Sequence, residues 1–288
     1  MLKYYYHLHE TRRKVFEKFP SAAALISLAG IIVWVLVFKS MVLSANNIPT
    51  GSMIPTLKIG DFLFVNRMRY GVHIPFTDIN ILKFDKPERG DIVVFIPPAR
   101  AGLEGKTLVK RIIGVPGDEV FVKDDEIFVN GTHYPVTAQT DRAILSDIDY
   151  PGISKEFTEN DLLLFKEKVI DPKTFKVKVE HYILKQKPAV LNMYHNLSNP
   201  DRYYNIPEGK YMMMGDNRDD SDDSRRWEFV NDSDIHGKVF MIYFSVDWGS
   251  RYFDNESSIN PFINLFRLVS GKLNHVAIRW NRIGSRIF

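Results

Sequence analysis

Hydrophobic residues fall along this chain in two kinds of run, one long near the N-terminus and several short ones beyond it. From Ser21 to Phe38 there is no charged residue, and after Lys39 the apolar character returns in Met41-Val42-Leu43. An uncharged run of about 18 residues is long enough to span a bilayer as a helix. Lys3, Arg12, Arg13, Lys14 and Lys18 precede it against Glu10 and Glu17. An excess of basic residues on one flank keeps that flank in the cytoplasm. The pattern therefore predicts a cytoplasmic N-terminus over 1–20, an anchor over 21–43 and an extracytoplasmic remainder. A cleaved signal peptide is the competing reading, but the run is long for one and Leu43-Ser44-Ala45 is a poor small-x-small cleavage site.

Beyond the anchor the runs shorten and turn β-branched or aromatic, which predicts strands. Asp61–Asn66 follows a Gly-Asp turn. Residues 70–90, with Gly71, Pro75, Pro87 and Gly90, read as a loop. Asp91–Ile96 is continuously apolar after its first residue, as a strand buried on both faces would be. Thr107–Val115 is the next strand, closed by the turn Pro116-Gly117-Asp118. Glu119–Val122 and Glu126–Val129 flank Lys123-Asp124-Asp125 as a hairpin, and Asn130-Gly131 is another turn. From 131 to 205 the chain is more charged and less periodic, with short candidates such as Phe175–Val179. It reads as an inserted, β-rich subdomain within a larger β-domain formed by 44–130 and 206–288. Lys210–Met214 and Gly237–Val246 restore strand character. The fold class predicted is mainly β, an N-terminal transmembrane helix followed by an antiparallel β-domain with a smaller β-rich insertion. The charged tail from 260 to 288 does not read as a second span.

Composition narrows the function. The chain is 45% hydrophobic and 25% charged, an ordinary globular balance, and its net charge of +3 comes without a basic, aromatic-studded run, so nucleic acid is not an expected partner. There is no cysteine, hence no disulfide, thiol nucleophile or cysteine-based zinc site. His9-Glu10 lacks the second histidine of a zinc helix, and the Asp232-Ser-Asp234 stretch places Tyr243 where a calcium loop needs Glu. No metal or other cofactor is expected.

Three stretches carry candidate chemistry. In Ile48-Pro49-Thr50-Gly51-Ser52-Met53-Ile54-Pro55-Thr56-Leu57, two prolines exclude a helix or central strand, and Gly51 lets the backbone turn sharply just before Ser52. A serine nucleophile needs a base. The eight histidines are scattered, no Gly-x-Ser-x-Gly elbow exists, and Ser52 has no lysine three residues on. Lys110 remains. Strand alternation puts it on one face with Leu108 and Ile112, where lost solvation lowers an ammonium's pKa, while Arg111 points the other way and stays protonated. Between Gly215 and Arg226, Arg218, Arg225 and Arg226 lie among five aspartates that could cross-link them into rigid support. Taken singly, these stretches also read as a solvent turn, a snorkelling surface lysine and a solvated acidic loop. His181 and His195, inside the insertion, read as packing or surface residues.

Together and in this order, the three stretches resemble bacterial type I signal peptidases. Ser52-Met53 matches the Ser-Met pair of Pro-Ser/Thr-Gly-Ser-Met-x-Pro-Thr. Lys110-Arg111-Ile-Ile-Gly114-Val-Pro116-Gly117-Asp118 matches the segment holding the family's general base, and Gly215–Arg225 matches its late Gly-Asp-Asn-Arg-Asp box. Arg279-Trp280-Asn281-Arg282-Ile283-Gly284 also looks similar. Asp220 stands where the family usually has Asn, and Glu228 where Gly is common. The resemblance implies a serine endopeptidase in which Ser52 attacks and Lys110 takes its proton. The Ser52 N–H and Thr50 hydroxyl would form the oxyanion hole, and Ser221 would hydrogen-bond Lys110. Asp223 and Arg225 would form a supporting pair, and Gly51 and Met53 would belong to the substrate-facing loop. It also implies residence in the cytoplasmic membrane and signal peptides of exported preproteins as partners, alongside membrane lipid, with small side chains at the first and third positions before the cut. Nothing in the sequence sets an oligomeric state. The rival reading is a membrane-anchored binding protein with a degenerate peptidase fold.

Overall fold

The structure is a computed structural model, described over residues 25–34, 43–73, 80–83, 85–123, 126–141, 144–145, 162–187, 201–247 and 277–287. Residues 25–34 are helical, and the side chains of Leu25, Ile26, Ile31 and Trp34 are exposed. Among the described residues no helix is long and apolar enough to cross a membrane. The rest of the predicted anchor, 21–24 and 35–42, and the segment 1–20 expected in the cytoplasm lie outside the described residues.

Beyond residue 42 the molecule is built from strands, numbered here in chain order. The first group is β1 (Leu43–Asn47), β2 (Asp61–Asn66), β3 (Gly71–His73), β4 (Asn80–Lys83), β5 (Ile92–Phe95) and β6 (Leu108–Gly114). Next come β7 (Glu119–Lys123), β8 (Glu126–Val129), β9 (Thr132–Tyr134), β10 (Val136–Gln139), β11 (Leu162–Ile170) and β12 (Val177–Gln186). The last are β13 (Arg202–Asn205), β14 (Lys210–Met214), β15 (Phe229–Asn231), β16 (Ile235–Asp247) and β17 (Ala277–Ile278). The main sheet runs β1-β2-β16-β5-β6-β14-β15, with β17 also on β16. Every pairing between named strands is antiparallel.

The apolar runs explain the centre of that sheet. All four residues of β5 are buried, and the last five of β6 are too. One face buries Val93, Phe95, Ile112, Met213 and Trp227, with Leu108 against them. The other buries Ile92 and Val94 with Leu63, Val65, Val239 and Ile242, and the loop after β1 adds Ile48, Met53 and Leu57 to that cluster. Fully burying such a side chain contributes about 1.5–3 kcal/mol. The loop from 48 to 60 is thereby held by the core beneath it.

Three local features differ from the sequence reading. Residues 70–90 contain the hairpin β3–β4 rather than only a loop. The strand expected over Phe175–Val179 starts at Val177, because Phe175 sits in the preceding turn at φ +54°. Both ends of 131–205 join one sheet with the β7–β8 hairpin: β9 pairs with β8 and β13 with β7. Within that segment, β10, β11 and β12 make a separate three-stranded sheet.

Candidate active site

Ser52 and Lys110 meet although 58 residues separate them: Lys110 Nζ donates a hydrogen bond to Ser52 Oγ. β6 brings the lysine there. Its backbone pairs with Val93 of β5, and Leu108 and Ile112, two positions to either side, pack in one apolar cluster with Val93. Lys110 is 2% exposed. Burial pushes its ammonium down to about 8, against the opposing field of Asp223. Desolvation disfavours the charged form of a lysine, so the group sits where a base can work near neutrality.

The loop carrying Ser52 is fixed from three directions. Ile48 exchanges backbone hydrogen bonds with Gly60 and Asp61, and Leu57 N–H donates to Met53 carbonyl. Asn217 N–H donates to the Ser52 carbonyl at 3.1 Å, and Asn217 Nδ2 donates to the Gly51 carbonyl at 3.2 Å. From below, Arg282 of the tail donates to the Thr56 carbonyl and pairs with buried Asp61, which also accepts from Ser245 Oγ and Lys58 N–H. The resemblance noted at Arg279–Gly284 thus falls on a segment that braces the loop carrying Ser52.

Thr50 and Ser52 are accessible. The Thr50 and Ser52 hydroxyl oxygens lie 3.5 Å apart, and the Ser52 N–H has no acceptor among the described residues. Met53, by contrast, is 1% exposed and packs downward into the core rather than towards a substrate. Gly51 lies against the end of the Ile54 side chain.

Asp223 is fully buried beside this centre. Arg225 Nε and Nη2 donate to its two oxygens at 2.9 and 2.8 Å, and Gly215 N–H donates to Oδ2 at 3.0 Å. Burial alone would raise this carboxyl; Arg225 and Lys110 more than offset that and hold it below the usual carboxylate range. Ser221 does not make the hydrogen bond to Lys110 that the resemblance implies. Its Oγ is buried without a partner and lies against Gly215, while the Lys110 ammonium donates to Ser52. Glu228, in the position where glycine is common, adopts φ +68° and ψ −121°, a backbone region costly for a side chain.

The Asp223–Arg225 pair yields a direct expectation. Removing one member of a buried pair leaves the other uncompensated, at about 3–5 kcal/mol. Asp223→Ala should therefore lower the stability measured by denaturant unfolding by about 3 kcal/mol. Arg225→Ala added to it should cost less than the sum of the singles. Strict additivity in that cycle would mean that the two side chains do not interact.

Sequence reasoning left two residues of this site unweighted. Gly215 and Asn217 both touch the Ser52 backbone. Their signal lay in the Gly-Asp-Asn box itself, but its target could be known only once the loop was placed. A cavity of about 490 Å³ borders the same loop, lined by Pro55, Thr56, Tyr182 and Arg282 among others, and it includes neither Ser52 nor Lys110. No group of three or more acidic or histidine side chains poised for a metal occurs among the described residues.

Comparison with known proteins identifies the family. The model of the signal peptidase family, peptidase S26, matches residues 21–244. Signal peptidase I of Pseudomonas aeruginosa is 32% identical over 253 residues, 83% of this chain and 79% of its own. Signal peptidase I of Rickettsia conorii is 30% identical over 276 residues, 91% of each chain. A solved signal peptidase I from Enterococcus faecalis is 26% identical and covers 54% of this chain and 98% of its own, with a TM-score of 0.27, a superposition too loose to bear on the fold. With the family model covering most of its length, this chain belongs to the signal peptidases of family S26.

Proposed function

We propose that this protein is a membrane-anchored serine endopeptidase that removes signal peptides from exported preproteins with a Ser52–Lys110 dyad. The observation that carries the reading is the hydrogen bond between Lys110 Nζ and Ser52 Oγ, made by a lysine buried enough to lose its proton near neutral pH. Once neutral, the same nitrogen accepts the Ser52 proton as Oγ bonds to the scissile carbonyl carbon. The developing oxyanion takes hydrogen bonds from the Ser52 N–H and the Thr50 hydroxyl. Lys110 then passes its proton to the leaving amine, the peptide C–N bond breaks, and an ester on Ser52 remains. Water hydrolyses the ester by the same base. Asp223 and Arg225 hold the wall beside Lys110. The chemistry needs no cofactor.

The substrate reading rests on an open strand edge. β14 pairs with β6 only as far as Met214 opposite Arg111, so Leu108–Lys110 have a partner strand in β5 alone. An extended peptide can add to such an edge by backbone hydrogen bonds, and one lying there passes Ser52. The intact dyad disfavours the rival of a binding protein with a degenerate site. The test is processing of a preprotein by the full chain in detergent or vesicles, with Ser52→Ala as the control that must fail.

Activity should rise with pH. Only the deprotonated amine can accept the serine proton, so the rate should climb through a midpoint near 8 set by Lys110. The kcat/KM profile of the wild type, and of His133→Gln and His236→Gln variants, measures this. An activity limb that disappears in one histidine variant would remove Lys110 from the role of base.

The uncharged run 21–38, with basic residues before it, supports a single cytoplasmic-membrane anchor with the N-terminus inside. It leaves 44–130 and 206–288 as an extracytoplasmic catalytic domain with 131–205 inserted. Protease added outside intact cells should cut beyond residue 44 and spare 1–20. Cleavage near residue 15 would reverse the topology.

A further inference from the structure

The insertion has a part that the dyad chemistry leaves unused. On its hairpin, Glu167 of β11 and His181 of β12 stand directly opposite one another. Both are buried, at 1% and 6% exposure. Burying two ionisable groups is costly unless they are paired. Their partners lie on the acidic loop. Arg218 donates from both terminal nitrogens to the two Glu167 oxygens, at 2.7 Å for the Nη1 bond. His181 Nε2 lies 3.2 Å from Glu167 Oε2 and 3.6 Å from Asp216 Oδ1. Asp216 in turn accepts from Arg111 Nε and Nη2 at 2.8 and 2.7 Å, and from Thr56 Oγ1 at 2.5 Å.

The backbones are joined as well. Leu184 of β12 donates to the Asp216 carbonyl and accepts from Arg218 N–H, both at 2.9 Å. These two bonds make a parallel bridge between Leu184 and Asn217. Gln186 N–H donates to Asp219 at 2.6 Å. Beside the bridge, Leu162, Leu164 and Leu184 enclose Ile54, two residues beyond the serine. The segment held in this way is the one whose Asn217 N–H and Nδ2 hold the Ser52 and Gly51 carbonyls.

We propose that Glu167 and His181 are positioning residues for the nucleophile: the inserted hairpin clamps Asp216–Arg218, and through Asn217 that clamp sets where Ser52 Oγ stands against Lys110. The inference rests on the reading of Ser52 as the nucleophile. It gives the insertion a role in the chemical step in addition to any role in stability. Two carboxylates, two guanidiniums and one imidazole share the buried volume. Asp216 and Glu167 are both held below the usual carboxylate range by their arginines despite burial. Burial and Arg111 lower the His181 imidazole against the pull of both acids. His181 stands between the two ion pairs, 3.2 Å from Glu167 and 3.6 Å from Asp216.

The experiment uses the full chain in detergent micelles and a peptide with alanine at the first and third positions before the cut. Glu167→Gln, His181→Gln and the paired change Glu167→Gln/Arg218→Met are assayed for kcat and KM, with the folded fraction of each taken from circular dichroism and thermal melting. The paired change removes both charges together, so it remains informative where Glu167→Gln alone leaves Arg218 uncompensated and fails to fold. A displaced nucleophile costs rate rather than binding, on the order of 10–100-fold for a shift approaching 1 Å. The expected result is a kcat per folded molecule lower by about that factor, KM within about twofold, and an unchanged midpoint of the alkaline limb because Lys110 is untouched. Restoring the carboxylate one methylene shorter, as Glu167→Asp, should recover part of the kcat. A kcat per folded molecule equal to wild type in all three variants would overturn the proposal and leave the hairpin a stabilising role only. A rise in KM with unchanged kcat would overturn it in favour of substrate binding. Ser52→Ala assayed alongside separates this from the parent reading: if that variant still cleaves the peptide, the nucleophile assignment fails whatever the hairpin variants do.

Discussion

Ser52→Ala and Lys110→Ala are each expected to abolish processing while leaving the protein folded. Ser52 is partly exposed on a loop held mainly through its backbone, so losing one hydroxyl removes little packing. Lys110 is buried with an ammonium that burial disfavours, so its replacement by alanine trades a desolvation cost for a cavity. The first change removes the attacking oxygen and the second the amine proposed to take its proton. Groups that act as one unit lose nearly the whole effect in either single change, a factor of about 10⁴ or more in kcat, and the double variant should be little worse. Lys110→Arg is the sharper control. It keeps the charge and the ability to donate to Ser52, but a guanidinium does not release its proton in a protein. It should be as inactive as Lys110→Ala in a preprotein assay, and substantial turnover by either would dismiss Lys110 as the base.

The sequence exposed those parts of the fold whose cause is local. β5 and β6 are near-continuous apolar runs because the sheet centre is covered on both faces, and a run of that kind is visible without knowing its neighbours. The β7–β8 hairpin announces itself by a charged turn between two β-branched stretches. The β3–β4 hairpin does not, because its strands are short and sit among Gly and Pro, whose turn signal dominates the window. β11 was hidden for a different reason. In Leu162–Ile170 the Lys-Glu-Lys centre looks solvated, yet Glu167 is buried because Arg218, 51 residues further on, reaches it. A charged residue reveals its burial only together with its partner, and the partner is set by topology.

The site divides along the same line. Ser52 and Lys110 could be picked out as chemistry-bearing types, one flanked by Pro and Gly, the other by apolar neighbours along a strand, and their resemblance to a known family joined them. The Asp223–Arg225 pair is named by the same resemblance, and the structure pairs the two side chains. Ser221 was given a hydrogen bond that its side chain does not make, since a rotamer is fixed by surrounding atoms and not by a motif. The resemblance puts Met53 on the substrate-facing loop, and that loop turns its side chain into the core with Ile48 and Leu57. A motif indicates which residues matter, and the direction each side chain takes depends on how the loop is seated.

The two glycines beside the nucleophile should behave in opposite ways, and Gly215→Ala should be the damaging change. A Cβ on Gly215 would stand 2.4 Å from the Ser52 carbonyl oxygen and 2.3 Å from Ser221 Oγ. The hydroxyl can rotate away, but the Ser221 Cβ, at 2.6 Å, moves only with its backbone. The carbonyl cannot move alone, because it belongs to the nucleophile's own backbone and accepts from Asn217 N–H. Relief therefore requires Ser52 to shift, and a displacement of about 1 Å costs on the order of 100-fold in rate. Gly51 is the residue that the sequence singles out as giving the loop its freedom, yet the tightest contact of a Cβ there would be the Ile54 Cδ1 at 3.1 Å, the end of a flexible side chain. Gly51→Ala should thus keep kcat within a few-fold of wild type, roughly the consequence of a small side-chain adjustment. The discriminating measurement is kcat for both variants together with Gly215→Ala/Ser221→Gly. The last removes both clashes with Ser221 but leaves the carbonyl clash, so it should remain slow. Recovery of wild-type rate in that double variant would locate the obstruction at Ser221 and free the Ser52 backbone from dependence on Gly215.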